Sequence, residues 1–264
     1  MAPKYTNKLE GKSVLVVGGT SGMGFAVAEA SVEFGASVVV ASRSKAKVDD
    51  AVRRLATSYP DAKDRIRGHT VDLSGEDSET SITELFYFVT NGGKDKVDHV
   101  VETAGDAPSA GLALEEVTVQ RIVEASSPRF SGIVMLAKVA AQHLKQAHTS
   151  SLTLTGGVAS FKPFPGWSVM AAIGGAKEAL ARGLAVDMKP VRVNLVSPGA
   201  VQTELFDAVV EKSDPEAAKA VFRHDTLLGR IGDPEDLAEA YLSLMKNYFA
   251  TGTTTHVEGG KLLR

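Results

Sequence analysis

The sequence predicts an α/β protein with a doubly wound parallel sheet. The first support is that short apolar runs alternate with longer helical segments along the 264 residues. The second is that the apolar runs are continuous, which is typical of parallel strands covered by helices on both faces. The length suits one α/β domain and no linker divides it, so we expect a single domain over residues 1–264.

The elements follow one another as strand and helix units. Apolar runs predict strands at 13–17, at 37–41, in a run that ends near residue 71, and at 97–101, 151–155, 191–196 and 253–257. Helical segments occur between them at 22–34, 45–58, 78–90, 132–146, 167–188 and 234–247. Each helix carries the chain back across the sheet, so consecutive strands run in parallel, and such crossovers are right-handed. We expect residues 60–65 to be the loosest stretch.

The composition excludes several classes of function. Lys and Arg number 29 against 32 for Asp and Glu, so the basic excess typical of nucleic-acid-binding proteins is absent. The chain has no cysteine, which excludes disulfides, thiolate metal ligands and cysteine nucleophiles. The histidines show no ligand spacing, so we expect no metal site. No segment resembles a signal peptide or a membrane span, so we expect a cytoplasmic protein that binds neither membranes nor nucleic acids.

A glycine-rich turn directly follows the first predicted strand. It consists of Gly18, Gly19, Thr20, Ser21, Gly22, Met23 and Gly24, and its end opens the first predicted helix. Glycine permits positive φ and lets a pyrophosphate reach the backbone N–H groups, and a helix N-terminus adds partial positive charge. Strand, turn and helix together predict a dinucleotide site, with an ordinary glycine-rich turn as the alternative.

The end of the second strand indicates which dinucleotide binds. A site for NAD usually carries an acidic residue there for the adenosine ribose, whereas this chain has Ser42, Arg43 and Ser44. Arg43 can pair with a 2′-phosphate with help from the two serines, so the sequence favours NADP(H). A solvated arginine at a helix start is the alternative. After the third strand, Asp72 and Leu73 are candidate contacts for the adenine amine.

Further motifs make the chain resemble the short-chain dehydrogenase/reductase family. In order, they are Gly18, Gly22 and Gly24, Ala104-Gly105, Arg192-Val193-Asn194, Ser197-Pro198-Gly199, Thr203 and Glu258-Gly259-Gly260. The resemblance implies an extended Rossmann fold with seven parallel strands, a nicotinamide cofactor and a small-molecule substrate. It also implies a homo-oligomer, either a dimer or a tetramer, formed through the helices from Gly132 and Trp167. The implied cofactor contacts beyond the glycine turn are Ala104, Gly105, Pro198, Gly199, Val201 and Thr203.

The catalytic residues of that family are missing at the matching positions. The family uses a Tyr-x-x-x-Lys motif on the helix after the fifth strand, with a Ser and an Asn upstream. Here Met170 takes the Tyr position and Gly174 the Lys position. Gly157 takes the Ser position and Arg129 the Asn position. We expect Gly157 and Gly174 to leave added space where this chemistry has been removed.

The residues that stand at these catalytic positions favour an acceptor that needs no proton donor. Hydride addition to an ordinary ketone creates an alkoxide that must be protonated, whereas an iminium is neutralised by the hydride. A cationic substrate would gain from a carboxylate and an aromatic face, and Glu102 and Trp167 are the candidates for these roles. Arg129 is the candidate anchor for a substrate anion or carbonyl oxygen. The alternatives are a solvated strand end for Glu102, a packed turn for Trp167 and a surface ion pair for Arg129.

The chain also resembles a fungal subgroup of atypical reductases from indole-alkaloid pathways. The similarity rests on segments 129–130, 152–155, 165–167 and 182–188. Such proteins reduce an iminium with NADPH and shape a Diels–Alder cyclisation that follows. The resemblance implies that an Asp in the loop before the Trp acts on the substrate, and Phe164 stands at that position here.

Three functions are therefore open. The first is an NADPH-dependent oxidoreductase that transfers hydride to an imine, an iminium or a conjugated carbonyl of a small secondary-metabolite substrate. The second is a cyclase or isomerase that keeps the cofactor without consuming it, which the stiff apolar segment from Phe164 to Trp167 would suit. The third is a non-catalytic NADP-binding module, which the joint loss of the family's Ser, Tyr, Lys and Asn would also fit.

Overall fold

The computed structural model describes residues 4–105, 112–211 and 214–264. Its strands are β1 (Ser13–Val17), β2 (Ser37–Ser42), β3 (Ile66–Thr70), β4 (His99–Glu102), β5 (Ser151–Thr155), β6 (Arg192–Pro198) and β7 (Thr254–Val257). They form one parallel sheet in the order β3-β2-β1-β4-β5-β6-β7. The predicted doubly wound, seven-stranded extended Rossmann fold is confirmed.

Helices cover both faces of the sheet. They are α1 (Gly22–Glu33), α2 (Lys45–Ser58), α3 (Ser78–Val89), α4 (Val119–Ser126), α5 (Gly132–His143), α6 (Ser168–Asp187), α7 (Glu204–Val210), α8 (Pro215–His224) and α9 (Pro234–Lys246). Apolar residues of α3, α5 and α6 form the core on one face, and those of α1, α2 and α9 form it on the other. No helix in the described ranges is both long and apolar enough to cross a membrane.

Most predicted elements occur, with ends shifted by a few residues. The short helices α4, α7 and α8 were not predicted; none is longer than 10 residues, and each buries at most one residue. The expectation of a loose stretch at 60–65 is wrong. That segment forms a 3-10 helix (Pro60–Arg65) that begins on a proline and buries Ala62 in the core.

The strand order places a crevice beside β1. β1 lies between β2 and β4, so the helices that follow β1 and β4 leave the sheet on opposite faces. A crevice at the carboxyl ends of the strands opens at such a switch point, and ligands of open α/β sheets bind there. The last residue of β1, Val17, is in register with Glu102 of β4. The turn after β1 therefore lies at the mouth of this crevice.

Arg192 fixes the opposite end of the sheet. This buried residue begins β6, and its guanidinium donates hydrogen bonds to the carbonyl oxygens of Leu244 at 2.6 Å and Met245 at 2.9 Å. These are among the last carbonyls of α9, which the helix itself leaves without donors. Burial lowers the pKa of Arg192 to about 10, so the side chain stays charged at neutral pH. The family motif at residue 192 thus has a structural role.

Candidate cofactor and active site

One cleft opens at the carboxyl ends of β1, β2 and β4. The turn after β1, the start of α2, the segment after β4, the π-helical turn Ser127–Ser131 and the N-terminus of α7 line it. The predicted cofactor residues in its lining are Gly18, Thr20, Ser21, Gly22, Met23, Gly24, Ser42, Arg43, Ser44, Asp72, Leu73, Ala104, Gly105 and Thr203. Within the described ranges, no three His, Asp or Glu residues are grouped to hold a metal ion.

The turn after β1 needs glycine at two positions of close contact. Gly18 has a φ of 87°, and a Cβ there would lie 2.5 Å from the backbone N of Ala104. A Cβ on Gly24 would lie 2.3 Å from the carbonyl oxygen of Gly18 and 2.3 Å from Thr103 Oγ1. Atoms that are not bonded do not approach this closely. The two glycines therefore let α1 and its turn lie directly against the end of β4.

The N-terminus of α1 faces the cleft. Ser21 precedes the helix and its side chain makes no capping hydrogen bond, so the first backbone N–H groups of α1 need another acceptor. Gly22, with a φ of 50°, places no side chain in front of them. Together with the partial positive charge of the helix end, this arrangement fits the pyrophosphate of a dinucleotide.

The end of β2 and the first turn of α2 form a second anion-binding region. Ser42 and Arg43 lie there as predicted, and Lys47 joins them. Ser42 Oγ is buried without a hydrogen-bond partner in the described structure, whereas Ser44 Oγ caps α2 by accepting the backbone N–H of Lys47 at 3.4 Å. Two cations, an unused hydroxyl and a helix N-terminus fit a phosphate. Lys47 was not predicted, although its place one helical turn after Arg43 was a usable signal.

Asp72 and Leu73 line the cleft and also hold the loop after β3. Asp72 Oδ1 accepts the backbone N–H of Ser74 at 2.9 Å, so this oxygen stabilises a turn. The carbonyl oxygen of Leu73 lies against α5, because a Cβ on Gly132 would be 2.0 Å from it. The contact of Asp72 with an adenine amine stays a prediction.

Three predicted contacts of the nicotinamide end lie outside the cleft lining. Pro198 and Gly199 lie against Val257 of β7, and Val201 bridges to Gly232 ahead of α9. A Cβ on Gly199 would lie 2.8 Å from the Cα of Glu258, so close strand packing alone accounts for this glycine. Thr203, from the same predicted group, does line the cleft.

The start of α7 meets the glycine turn. Thr203 Oγ1 accepts the backbone N–H of Phe206 at 3.2 Å, and Thr203 Cγ2 lies 2.9 Å from where a Cβ of Gly22 would be. This contact brings Glu204 and Leu205 into the cleft lining. Neither residue was predicted, because α7 gave no sequence signal of its own.

Arg129 lines the cleft from the π-helical turn between α4 and α5. Pro128 interrupts the regular helical hydrogen bonds at this turn. Arg129 Nη1 donates to the carbonyl oxygen of Ala125 at 3.0 Å, which holds the side chain along the turn. Of the three predicted catalytic residues, Arg129 is the one that the structure places in the lining.

Glu102 lies beneath the cleft and does not line it. Its side chain is fully buried, and Oε2 accepts a hydrogen bond from Lys177 Nζ at 3.0 Å. Lys177, from α6, also donates to the carbonyl oxygen of Thr155 at 2.8 Å. A buried charge requires such a partner. The prediction that Glu102 faces a substrate cation is therefore corrected, and the alternative of a solvated strand end is wrong too.

Trp167 also lies outside the cleft lining. Its backbone N–H donates to the carbonyl oxygen of Phe164 at 3.0 Å, and the two ring centroids are 5.5 Å apart. Phe164 in turn contacts Phe222 of α8 at 5.9 Å, and Phe222 contacts Phe206 of α7 at 5.0 Å. We call these four side chains the aromatic row. The row joins α7 and α8 to the loop that follows β5.

Met170, Gly157 and Gly174, which the family resemblance places at the Tyr, Ser and Lys positions, have different surroundings. Met170 packs in a small apolar cluster with Ile173. A Cβ on Gly157 would have no atom within 4 Å, so space is open there. A Cβ on Gly174 would lie 2.3 Å from Ser160 Oγ. The expectation of added space at Gly174 is therefore wrong, because Ser160 fills it.

A family model, sequence relatives and a solved structure each match this chain over nearly its whole length. Residues 5–264 match the model of the SDR-like Rossmann domain. Short-chain dehydrogenase/reductase ucsE from an Acremonium species is 42% identical over 268 residues and is covered completely, as is this chain. Short-chain dehydrogenase/reductase malC from Malbranchea aurantiaca is 38% identical, again with complete coverage of both chains. The solved structure of MalC Reductase/Diels-Alderase superposes with a TM-score of 0.90, covering 98% of this chain and 99% of that one.

Alanine substitutions in α6 test the filling of the Gly174 position. Gly183 has open space at its Cβ position, so G183A is expected to raise the free energy of unfolding by about 1 kcal/mol through helix propensity. G174A is expected to give no such gain, because its Cβ would lie 2.3 Å from Ser160 Oγ and must displace it. The gain should return when G174A is added to S160A. Urea unfolding measures all four variants, and equal gains for G174A and G183A would contradict the packing.

Proposed function

This chain belongs to the short-chain dehydrogenase/reductase family, and we propose that it is an NADPH-dependent reductase of an activated acceptor in a small molecule. The acceptor class is an imine, an iminium or a conjugated carbonyl of the kind that secondary metabolism produces. One observation carries the proposal. The cleft keeps the glycine turn, the open N-terminus of α1 and two cations at the end of β2, while the positions of the family's Tyr, Lys and Ser hold Met170, Gly174 and Gly157.

The cleft supports NADP(H) as the cofactor. When bound, the nicotinamide cofactor supplies the hydride. The glycine turn from Gly18 and the N-terminus of α1 accommodate the pyrophosphate, and Arg43 and Lys47 meet the 2′-phosphate. Among the described residues that line the cleft at the end of β2, none is acidic. A site adapted to the ribose hydroxyls of NAD would carry an acid there.

The surroundings of α6 support an acceptor that is already activated. Met170 and Gly174 hold no titratable proton, and the nearest replacement in the helix, Lys177, is engaged by Glu102 and a backbone carbonyl. An iminium is neutralised by the hydride and needs no further proton, and a neutral imine reaches that form by taking a proton from solvent first. A conjugated carbonyl becomes an enolate, whose charge is spread over several atoms and which then takes its proton from water. An unactivated ketone would leave a localised alkoxide without a donor.

Arg129 is the residue of this chain that we assign to the substrate. Its guanidinium lies in the cleft wall, with the segment Ala104 and Gly105 among the other lining residues. A guanidinium donates hydrogen bonds in a fixed planar pattern, which suits a carbonyl or carboxylate group of the acceptor. Glu102 supports this site indirectly, since its pair with Lys177 ties the end of β4 to α6.

A cyclase is the second candidate, and the aromatic row favours it. Phe164 and Trp167 give a stiff apolar surface on which a substrate can be folded. The similar structure from Malbranchea aurantiaca is named both a reductase and a Diels–Alderase. A cyclase would return a product of unchanged oxidation state without consuming NADPH, so product analysis separates the two functions.

Cofactor titrations test the 2′-phosphate assignment. R43A is expected to weaken NADPH binding about 10- to 100-fold, the loss typical of a charge-assisted hydrogen bond, while NADH binding changes little. K47M should weaken NADPH binding in the same direction. K45M is the matched control, because Lys45 lies in the same helical turn but pairs with Asp49 outside the cleft. Equal losses for NADPH and NADH in R43A would contradict the assignment.

Turnover with defined acceptors tests the reductase itself. We expect the purified protein to oxidise NADPH with cyclic imines or conjugated enones and to be inactive with simple ketones. R129M should lower kcat/KM with the accepted substrate and leave the Kd for NADPH unchanged. Tight NADPH binding with no turnover across both acceptor panels would contradict the proposal and favour the non-catalytic module. A product formed without NADPH consumption would favour the cyclase.

We also propose a homo-oligomer, and we place its interface on α6, as predicted, and on the adjoining exposed face of α4 in place of the predicted α5. Val123 is 57% exposed there, next to a groove that Phe130 and Val169 help to line. Exposed apolar surface of this kind is typical of protein interfaces. V123E is expected to convert a dimer or tetramer into a monomer in light-scattering mass measurements. V221E on α8, where Val221 is 59% exposed, is the control. A monomeric unmodified protein would contradict this assignment.

A further inference from the structure

Lys261 is a buried lysine outside the cofactor cleft. It lies in the 3-10 turn after β7 (Lys261–Leu263) and is only 3% exposed. A buried ammonium needs compensation from its surroundings. Lys261 Nζ finds it in two groups: Asp225 Oδ2, 2.9 Å away at the end of α8, and the ring of Phe164, whose centroid is 4.0 Å away.

The backbone of Lys261 makes a further contact with the same loop. Its carbonyl oxygen accepts a hydrogen bond from Lys162 Nζ at 3.1 Å. Three segments distant in sequence therefore meet at this residue: the loop 161–167, the end of α8 and the turn after β7. The hydrogen bond from Lys261 also holds the pKa of Asp225 below its usual range, so the Asp225 carboxylate is ionised at neutral pH.

Phe164, the ring that Lys261 covers, is central in the aromatic row. It lies between Trp167, at 5.5 Å, and Phe222 of α8, at 5.9 Å. The row continues to Phe206 in α7. Thr203, the residue that caps α7, contacts the glycine turn. The position of Phe164 thus sets the distance between the loop before α6 and the helices α7 and α8.

We propose that Lys261 is a positioning residue that determines which substrate the aromatic row accepts. It presents Phe164 and Trp167 as an apolar wall, and its ammonium already occupies one face of Phe164. A substrate cation gains little from a ring that a lysine covers, since cation–π attraction depends on the free face. The wall therefore suits an uncharged apolar or aromatic part of the acceptor. This inference rests on the proposed function and on an acceptor that extends from Arg129 towards the start of α6, where Phe130 of the same turn lies beside Val169.

Trp167 makes the proposal measurable without a substrate. It is the only tryptophan among the 264 residues, so tryptophan fluorescence, excited selectively over that of the tyrosines, reports on the aromatic row alone. K261M removes the ammonium and keeps the length of the side chain. We expect K261M to shift Trp167 emission to the red and to increase its quenching by acrylamide, while NADPH binding is unchanged. K261R keeps the charge and should restore the fluorescence of the unmodified protein.

The kinetic test uses the neutral enone or imine that the unmodified protein turns over best. K261M is expected to raise its KM about tenfold, the size of a lost desolvated cation–π contact, with kcat little changed. K219M is the matched control. Lys219 also joins α8 to an acidic residue, Asp207, at 3.0 Å, and it is absent from the contacts with aromatic rings in the described structure.

The outcomes separate this proposal from the reductase function. Unchanged Trp167 quenching in folded K261M would overturn the positioning role, whatever the activity. Changed quenching, together with an unmodified protein that reduces no acceptor, would retain the positioning role and reject the reductase. Should K261M unfold, D225N decides the matter, because it removes the ion pair and keeps the lysine. D225N must then increase the quenching while K261R does not, and quenching in D225N equal to that of the unmodified protein would overturn the proposal.

Discussion

The close approach between the turn after β1 and the end of β4 is the constraint on which the cleft depends. Gly18 lies so near Ala104 that a Cβ would be 2.5 Å from its backbone N, and Gly24 is equally confined by Gly18 and Thr103. These contacts bring the N-terminus of α1 to the sheet's switch point. The same turn touches Thr203, so the start of α7 is placed by it as well. The pyrophosphate region and one wall of the cleft thus have a common steric origin.

Local sequence signals explain why this region was predictable. The glycine turn and Arg43 are read from a strand, a turn and a helix that are contiguous in the chain. Lys177 and Lys261 were not predictable as buried residues, because lysine is ordinarily solvent-exposed. Their burial depends on Glu102 and on Phe164, each more than fifty residues away in the chain. The helices α7 and α8 escape prediction for a related reason, since the aromatic row joins them to a loop that is distant in the chain.

Gly157 and Gly174 show how far substitution at a catalytic position can be interpreted from sequence. The family resemblance places both where a functional side chain is expected, and both predict added space. Only Gly157 has it, because the hydroxyl of Ser160 occupies the Cβ position of Gly174. Ser160 lies in the short turn after β5, and nothing in its sequence context predicts contact with α6. A glycine at a position where a larger side chain is expected therefore does not by itself indicate a cavity.

The charges of the molecule bear on which activated acceptor suits the cleft. The carboxylate of Glu102 and the ring of Phe164, the groups best suited to a substrate cation, are both engaged by lysines of the chain. Arg129 lines the cleft as a cation. An iminium would therefore depend on the other carboxylates of the lining, Asp72 and Glu204, or on a carboxylate of its own that pairs with Arg129. A conjugated carbonyl would meet the guanidinium directly as negative charge develops on its oxygen, because preorganised donors act most strongly where charge appears.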